Sequence, residues 1–231
     1  MYRYLIFDLD GTLINSIPEI TASLNHALKA CGLEEVTDGR DLSWFVGPPL
    51  RDGFRRLLDT SDDSLVETLV TAYRDMYKDA SLDSKLYPGM RNLITDLSKR
   101  RTLALATTKP TLYATKILEH LGLSGSFGMV LGCELDGRRS TKEELIGCII
   151  DSYGGAPTDY LFIGDRRDDV AGARKNGIDS VAVLYGYGSV AEIEGARPTF
   201  IAATVVELDS LLRELIPTPH EAVDTGYRTR V

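Results

Sequence analysis

Two aspartates one residue apart, Asp8 and Asp10, follow the apolar run "YLIF" at 4–7 and precede Gly11 and Thr12. Ending a buried run on carboxylates needs a chemical reason, because a buried charge is costly unless it is paired or binds a cation. Thr107, Thr108 and Lys109 close a second apolar run, "LALAT". Lys142 lies in "RSTKEEL", in the first turn of an expected helix, and Asp165 and Asp169 follow a third run, "YLFIG". If these ends converge, three or four carboxylates repel one another unless a cation neutralises them. Hard oxygen ligands suit Mg²⁺, which takes a few protein oxygens and completes its shell with water and substrate phosphate.

The chemistry such a set permits is phosphoryl transfer through an aspartyl-phosphate. Period-two geometry sets Asp8 and Asp10 on one side and Leu9 on the other, so one can attack while the other handles a proton. Asp8 reads as the nucleophile; Asp10 would protonate the leaving oxygen and then activate water. The metal and Lys142 neutralise the incoming phosphate for in-line attack. Gly11 lets the backbone turn and present amides to phosphate oxygens, and Thr107 adds a hydroxyl, with Thr108 beside it.

Several elements must position these residues. The apolar runs 4–7, 103–107, 128–132, 160–164 and 180–186 read as buried strands. Helical spacing separates them: Leu93, Ile94 and Leu97; Ile117, Leu118 and Leu121; Leu145, Ile146, Ile149 and Ile150. Alternation of this kind predicts an α/β fold, a doubly wound parallel sheet whose ligand crevice lies at the carboxyl ends of the strands. From about Ile17 to Leu86 the pattern is helical without a convincing strand, which predicts an all-helical insertion after the first strand. The expected division is a core of residues 1–15 and 87–215, a helical domain of 16–86, and a loose polar tail from Ile216 to Val231. Within the insertion Trp44, Phe45, Tyr73 and Tyr77 are expected in its core, and Arg51, Arg55 and Arg56 on a solvated face, with Arg51 able to meet substrate.

Composition excludes several functions. With 231 residues, 43% of them hydrophobic, the chain can bury a full core, and a net charge of −8 disfavours binding to a nucleic-acid polymer. The cysteines Cys31, Cys133 and Cys148 show no metal-binding spacing, nor do His26, His120 and His220. No signal-peptide pattern and no apolar run of membrane-spanning length is present, so a cytoplasmic location and no membrane partner are expected.

The segments "DLDGTL" at 8–13, "TTK" at 107–109, Lys142 and "GDRRDD" at 164–169 resemble, in order and spacing, the four motifs of the haloacid dehalogenase-like hydrolase superfamily. Through "VGPPL" at 46–50, "TTKP" at 107–110 and "VLYGYGS" at 183–189 the chain is similar to its phosphoglycolate phosphatase-like branch, with a small helical cap. The resemblance implies that Asp8 is nucleophile and metal ligand, that Asp10 is acid/base and binds metal through its carbonyl, and that Asp165 is the third protein ligand. Asp169 would steady metal waters or Lys142, and the cap would close over the site and select the substrate. Asn15 and Arg166 depart from the pattern, standing where relatives carry Asp and a small hydroxyl residue; "GDR" with "VLYGYG" also resembles relatives described as 5′-nucleotidases.

The expected function is an Mg²⁺-dependent phosphomonoesterase acting on a small phosphorylated metabolite, 2-phosphoglycolate or a nucleoside monophosphate, as a monomer or homodimer. A phosphoaspartate signalling module shares an Asp, Mg²⁺, Thr and Lys but is about half the length. A 2-haloacid dehalogenase has no need of Asp10 or of a metal cage, and a phosphomutase would require a bisphosphate intermediate.

Overall fold

A computed structural model describes residues 1–37, 41–134 and 138–217. The strands are β1 (Tyr4–Phe7), β2 (Ile14–Asn15), β3 (Lys85–Leu86), β4 (Thr102–Pro110), β5 (Met129–Cys133), β6 (Tyr160–Gly164), β7 (Asp179–Val183) and β8 (Phe200–Ala202). The α-helices are α1 (Ile17–Ala30), α2 (Leu50–Leu58), α3 (Asp63–Ala80), α4 (Met90–Ser98), α5 (Thr111–His120), α6 (Lys142–Tyr153), α7 (Arg167–Lys175), α8 (Val190–Ala196) and α9 (Val205–Leu215).

Six strands form one parallel sheet in the order β5-β4-β1-β6-β7-β8. Its strands are apolar on both faces because both faces are covered. From β1, Leu5 and Phe7 enter a core with Leu93 and Ile94 of α4, Ile117 of α5 and Leu208 of α9. Ile6 points the other way, into a core with Leu145 and Ile149 of α6 and Ala173 of α7. The chain winds outward from β1 in both directions, so β1 sits at the switch point. The carboxyl ends of β4, β1 and β6 therefore open into one crevice.

Among the described residues the insertion between Ile17 and Asp83 carries only helices as regular elements. Ile20, Leu24 and Leu28 of α1 pack against Val66, Leu69, Val70 and Tyr73 of α3, with Phe45 and Phe54 closing this separate core. Pro18 opens α1, and the Asp62 carboxylate accepts from the amides of Ser64 and Leu65 to start α3. Both crossings between the insertion and the sheet domain run through the antiparallel ribbon β2–β3. Sequence periodicity missed this ribbon, since two residues per strand show no period. It also missed β8, a three-residue edge strand.

One expectation needs correction. Ile216, assigned to the loose tail, is fully buried in the sheet domain's core. It continues the spacing Leu208, Leu212, Ile216, one apolar stripe at intervals of four. Residues 218–231 of that tail lie outside the described residues. Among the described residues no helix is long and apolar enough to cross a membrane, and none of the three cysteines is in a disulfide.

Candidate active site

After Phe7 the chain stops behaving as a strand. The Leu9 carbonyl accepts from the amides of Thr12, Leu13 and Ile14 at 3.3, 2.8 and 3.1 Å, which winds residues 9–14 into a tight turn. Each carboxylate meets its own lysine, and Asp10 is near enough for its charge to raise the Asp8 carboxyl. Asp8 Oδ1 lies 2.6 Å from Lys142 Nζ, and Asp10 Oδ1 lies 2.9 Å from Lys109 Nζ.

Lys142 is held by its helix start. Thr141 and Glu144 form a reciprocal capping box that fixes the first turn of α6. The buried ammonium donates to the Ala106 carbonyl at 3.1 Å and pairs with Asp169 Oδ1 at 2.7 Å as well as with Asp8. Gly172 of α7 makes room for it, since a Cβ there would come within 2.8 Å of Lys142 Cβ. Asp169 in turn accepts from the amides of Asp165 and Arg166 through Oδ2, at 3.1 and 3.0 Å. It caps α7 and holds Lys142 at once.

Asp165 is the most enclosed of the set. Thr12 Oγ1 donates to its Oδ1 at 3.2 Å and the Tyr187 amide to its Oδ2 at 2.7 Å. Gly11 has φ +79°, and a Cβ there would fall 2.1 Å from Asp165 Oδ2; one on Gly186 would fall 2.3 Å from Asp165 Cβ. These glycines let two backbone segments close over one carboxylate. Thr12, Tyr185 and Tyr187 were not singled out from sequence as site residues. Tyr185 donates to the Thr12 carbonyl at 3.1 Å, and Tyr187 Oη accepts from the Ser16 amide at 2.7 Å, bracing the turn and the hinge. The signal available was the Tyr-Gly-Tyr-Gly spacing after β7. Asn15 takes part too, its Oδ1 accepting from Tyr187 Oη at 3.2 Å.

Ligand atoms of Asp8, Asp165 and Asp169 lie within 4.8 Å of one another. Three buried carboxylates face the single ammonium of Lys142, an excess of negative charge that fits a divalent cation with a preference for oxygen. The electrostatics agree. Burial pushes the Asp8 carboxyl up from 3.8 to about 7, opposed by Lys142 and reinforced by Asp169 and Asp10. Burial, then the charges of Asp169 and Asp8, push Asp165 well up. Burial lowers the Lys142 ammonium, yet Asp169 and Asp8 outweigh that and raise it, so it stays charged.

Thr107, where the regular pairing of β4 gives way, is buried, and its Oγ1 accepts from the Lys109 amide at 3.2 Å. The β4–β5 register breaks between Thr107 and Pro110, and Gly132 permits it: a Cβ there would lie 2.2 Å from the Lys109 carbonyl oxygen. That irregularity turns Lys109 inward. Sequence left its role open; it is buried, pairs with Asp10, donates to Tyr77 Oη and sits 4.7 Å from the Tyr77 ring centroid. Tyr77 thus belongs both to the helical core and to the site.

A cavity of 260 Å³ lies between the helical insertion and the sheet domain. Asp10, Thr108 and Lys109 border it on one side, and Phe45, Leu50, Tyr73 and Tyr77 on the other. Tyr73 and Tyr77 stack at 5.2 Å, with Tyr113 edge-on to Tyr77 at 5.7 Å. Arg51 lines it but is paired with Glu67, Nη2 to Oε2 being 2.9 Å. Arg55 pairs with Asp63, and Arg56 covers Trp44 at 4.2 Å. Arg166 reaches the insertion as well: Nη1 donates to the carbonyls of Ser43 and Val46 at 3.0 and 3.4 Å while Nε pairs with Glu192 at 2.9 Å.

A parallel α/β sheet, a helical cap and a carboxylate–lysine cluster at the switch point define a class of hydrolase. Residues 5–183 match the haloacid dehalogenase-like hydrolase family, and the chain belongs to it. Within that family it is a phosphatase of the phosphoglycolate phosphatase-like branch. It is 37% identical to a 5′-nucleotidase of Pseudomonas aeruginosa, over 91% of this chain and 96% of that protein. It is 35% identical to tyrosine-protein kinase PtkA of Mycobacterium tuberculosis over 91% and 72%, and 33% identical to a phosphoglycolate phosphatase of Agrobacterium fabrum over 82% and 83%. The crystal structure of a predicted phosphatase from Clostridium acetobutylicum superposes with a TM-score of 0.84 at 37% identity, covering 93% of this chain and 99% of that one.

Proposed function

We propose that the protein is an Mg²⁺-dependent phosphomonoesterase that hydrolyses a small phosphate ester through an aspartyl-phosphate on Asp8. The observation that carries this reading is the convergence of Asp8, Asp165 and Asp169 within 4.8 Å around one lysine. The carboxylates of Asp8 and Asp165 with the Asp10 carbonyl would hold the ion, which when bound supplies charge neutralisation of the phosphoryl oxygens. Asp8 attacks phosphorus in line with the leaving oxygen. Lys142 and the Thr107 hydroxyl balance charge on the transferred oxygens, while the amides of Gly11 to Ile14 are spent within the turn, on the carbonyls of Ile14 and Leu9. Asp10 gives a proton to the leaving oxygen and then takes one from the water that attacks the phosphoaspartate. Asp169 keeps Lys142 in register. Residues 1–15 with 87–215 form the catalytic core in this reading, and 16–86 the cap that excludes water and selects the substrate.

On the leaving-group side the cavity favours a nucleoside monophosphate over 2-phosphoglycolate. Asp10, which handles the leaving oxygen, borders it, and the space beyond is ring-lined and much larger than a glycolate needs. The name of the P. aeruginosa relative points the same way. A phosphoaspartate signalling module has no use for such a cavity or for Asp10. Phosphate release from p-nitrophenyl phosphate should require Mg²⁺ and vanish with EDTA and with Asp8→Asn; normal turnover by that variant would overturn the mechanism. Higher kcat/KM on 5′-nucleotides than on 2-phosphoglycolate supports the nucleotide reading, and the reverse order defeats it.

A further inference from the structure

One cation lining the cavity makes neither a hydrogen bond nor an ion pair with any described residue. This is Arg74, on α3, which is half-buried. Every other cation lining the cavity is paired: Arg51 with Glu67, and Lys109 with Asp10. The acidic lining residue Glu134 is taken by Arg139, and Glu67, which feels the charge of Arg74, is already paired with Arg51, so the Arg74 N–H donors stay open to a ligand. A half-buried guanidinium has five N–H donors in a planar fork, suited to a pair of acceptor oxygens or to a ring oxygen beside a ring nitrogen.

The neighbours of Arg74 narrow the ligand further. Tyr77 lies three residues on from Arg74 and four from Tyr73, and all three line the cavity, so α3 presents to it two stacked rings and a guanidinium. Rings favour a flat, largely apolar body, and Asp10 at the opposite side fixes where the ester oxygen must lie. Resting on the phosphatase reading above, we infer that Arg74 determines specificity, selecting leaving groups that carry a hydrogen-bond acceptor oxygen at the end remote from phosphorus. A nucleobase carbonyl and a carboxylate both supply that chemistry. A substrate without the acceptor leaves the guanidinium unpaired on closure, and this is how a polar site rejects an analogue.

Steady-state kinetics on the full chain with Mg²⁺ test this with four esters. Inosine 5′-monophosphate carries a ring carbonyl, and purine riboside 5′-monophosphate is the same molecule without it. 2-Phosphoglycolate carries a carboxylate, and phenyl phosphate carries no remote acceptor. The wild-type protein should prefer inosine 5′-monophosphate to purine riboside 5′-monophosphate, or 2-phosphoglycolate to phenyl phosphate. The preferred pair identifies the source of the acceptor. Arg74→Gln should collapse that preference, mainly through KM, by about tenfold or more, the worth of one charged hydrogen bond. Arg74→Lys should restore part of it. No preference in the wild type, or a preference that survives Arg74→Gln, overturns the inference. Failure to release phosphate from any of the four esters would instead strike the phosphatase reading.

Discussion

At the scale of single residues, the site depends on close approach. Gly11→Ala would bring a Cβ to 2.1 Å from Asp165 Oδ2 at a φ of +79°, so the turn and the carboxylate cannot both keep their places. The expected outcome is loss of most turnover with a weakened Mg²⁺ dependence, read from initial rates against Mg²⁺ concentration; an unchanged titration would mean that Asp165 is not held by this turn. Asp8 carries a pH prediction for the metal-free protein. Its carboxyl is raised from 3.8 to about 7 by burial, so the folded state binds its proton more tightly than the unfolded chain. That contribution to stability is full below about pH 4 and fades as pH rises through about 7. Melting in EDTA should therefore show a stability loss across this window that Asp8→Asn removes. Added Mg²⁺ should oppose the loss by replacing the proton as the neutralising charge.

At the scale of elements, most of the scaffold was legible because buried parallel strands announce themselves. The limits of β1 and β6 are those of the runs "YLIF" and "YLFIG". The residues expected at strand ends, Asp8, Thr107 and Asp165, are gathered at one crevice. Less legible were features set by hydrogen bonds rather than by periodicity. The Leu9 turn sets in between Asp8 and Asp10, and the Thr107–Pro110 irregularity turns Lys109 toward Asp10. Both depend on glycines whose purpose shows only when a second segment lies against them. The capping box of α6 offers a test at this scale. Thr141→Ala removes the partner of the Glu144 amide and should cost about 1 kcal/mol of stability. It should also lower kcat by loosening Lys142, whereas an unchanged kcat would show that Asp8 and Asp169 hold the ammonium without the cap.

At the scale of the whole molecule, core and cap meet at a ribbon hinge and at two basic bridges. Lys109 ties the core to Tyr77, and Arg166 ties it to the turn at Ser43–Phe45. Arg166, where the family pattern leads one to expect a small hydroxyl residue, follows Asp165 directly and anchors the "VGPPL" segment that walls the cavity. Arg166→Met should raise KM several-fold on phenyl phosphate and shift small-angle scattering toward a more open particle. Unaltered scattering and KM would show that the bridge does not govern closure.

All these scales meet in the covalent step proposed for Asp8. The most direct measurement is mass spectrometry of acid-quenched protein taken during turnover, with peptide mapping across residues 4–13. The account predicts a phosphate adduct on Asp8 that disappears on chase and builds up in Asp10→Asn, whose water is no longer activated. Turnover of substrate by Asp8→Asn, or a phosphate adduct carried on any other residue, would contradict it.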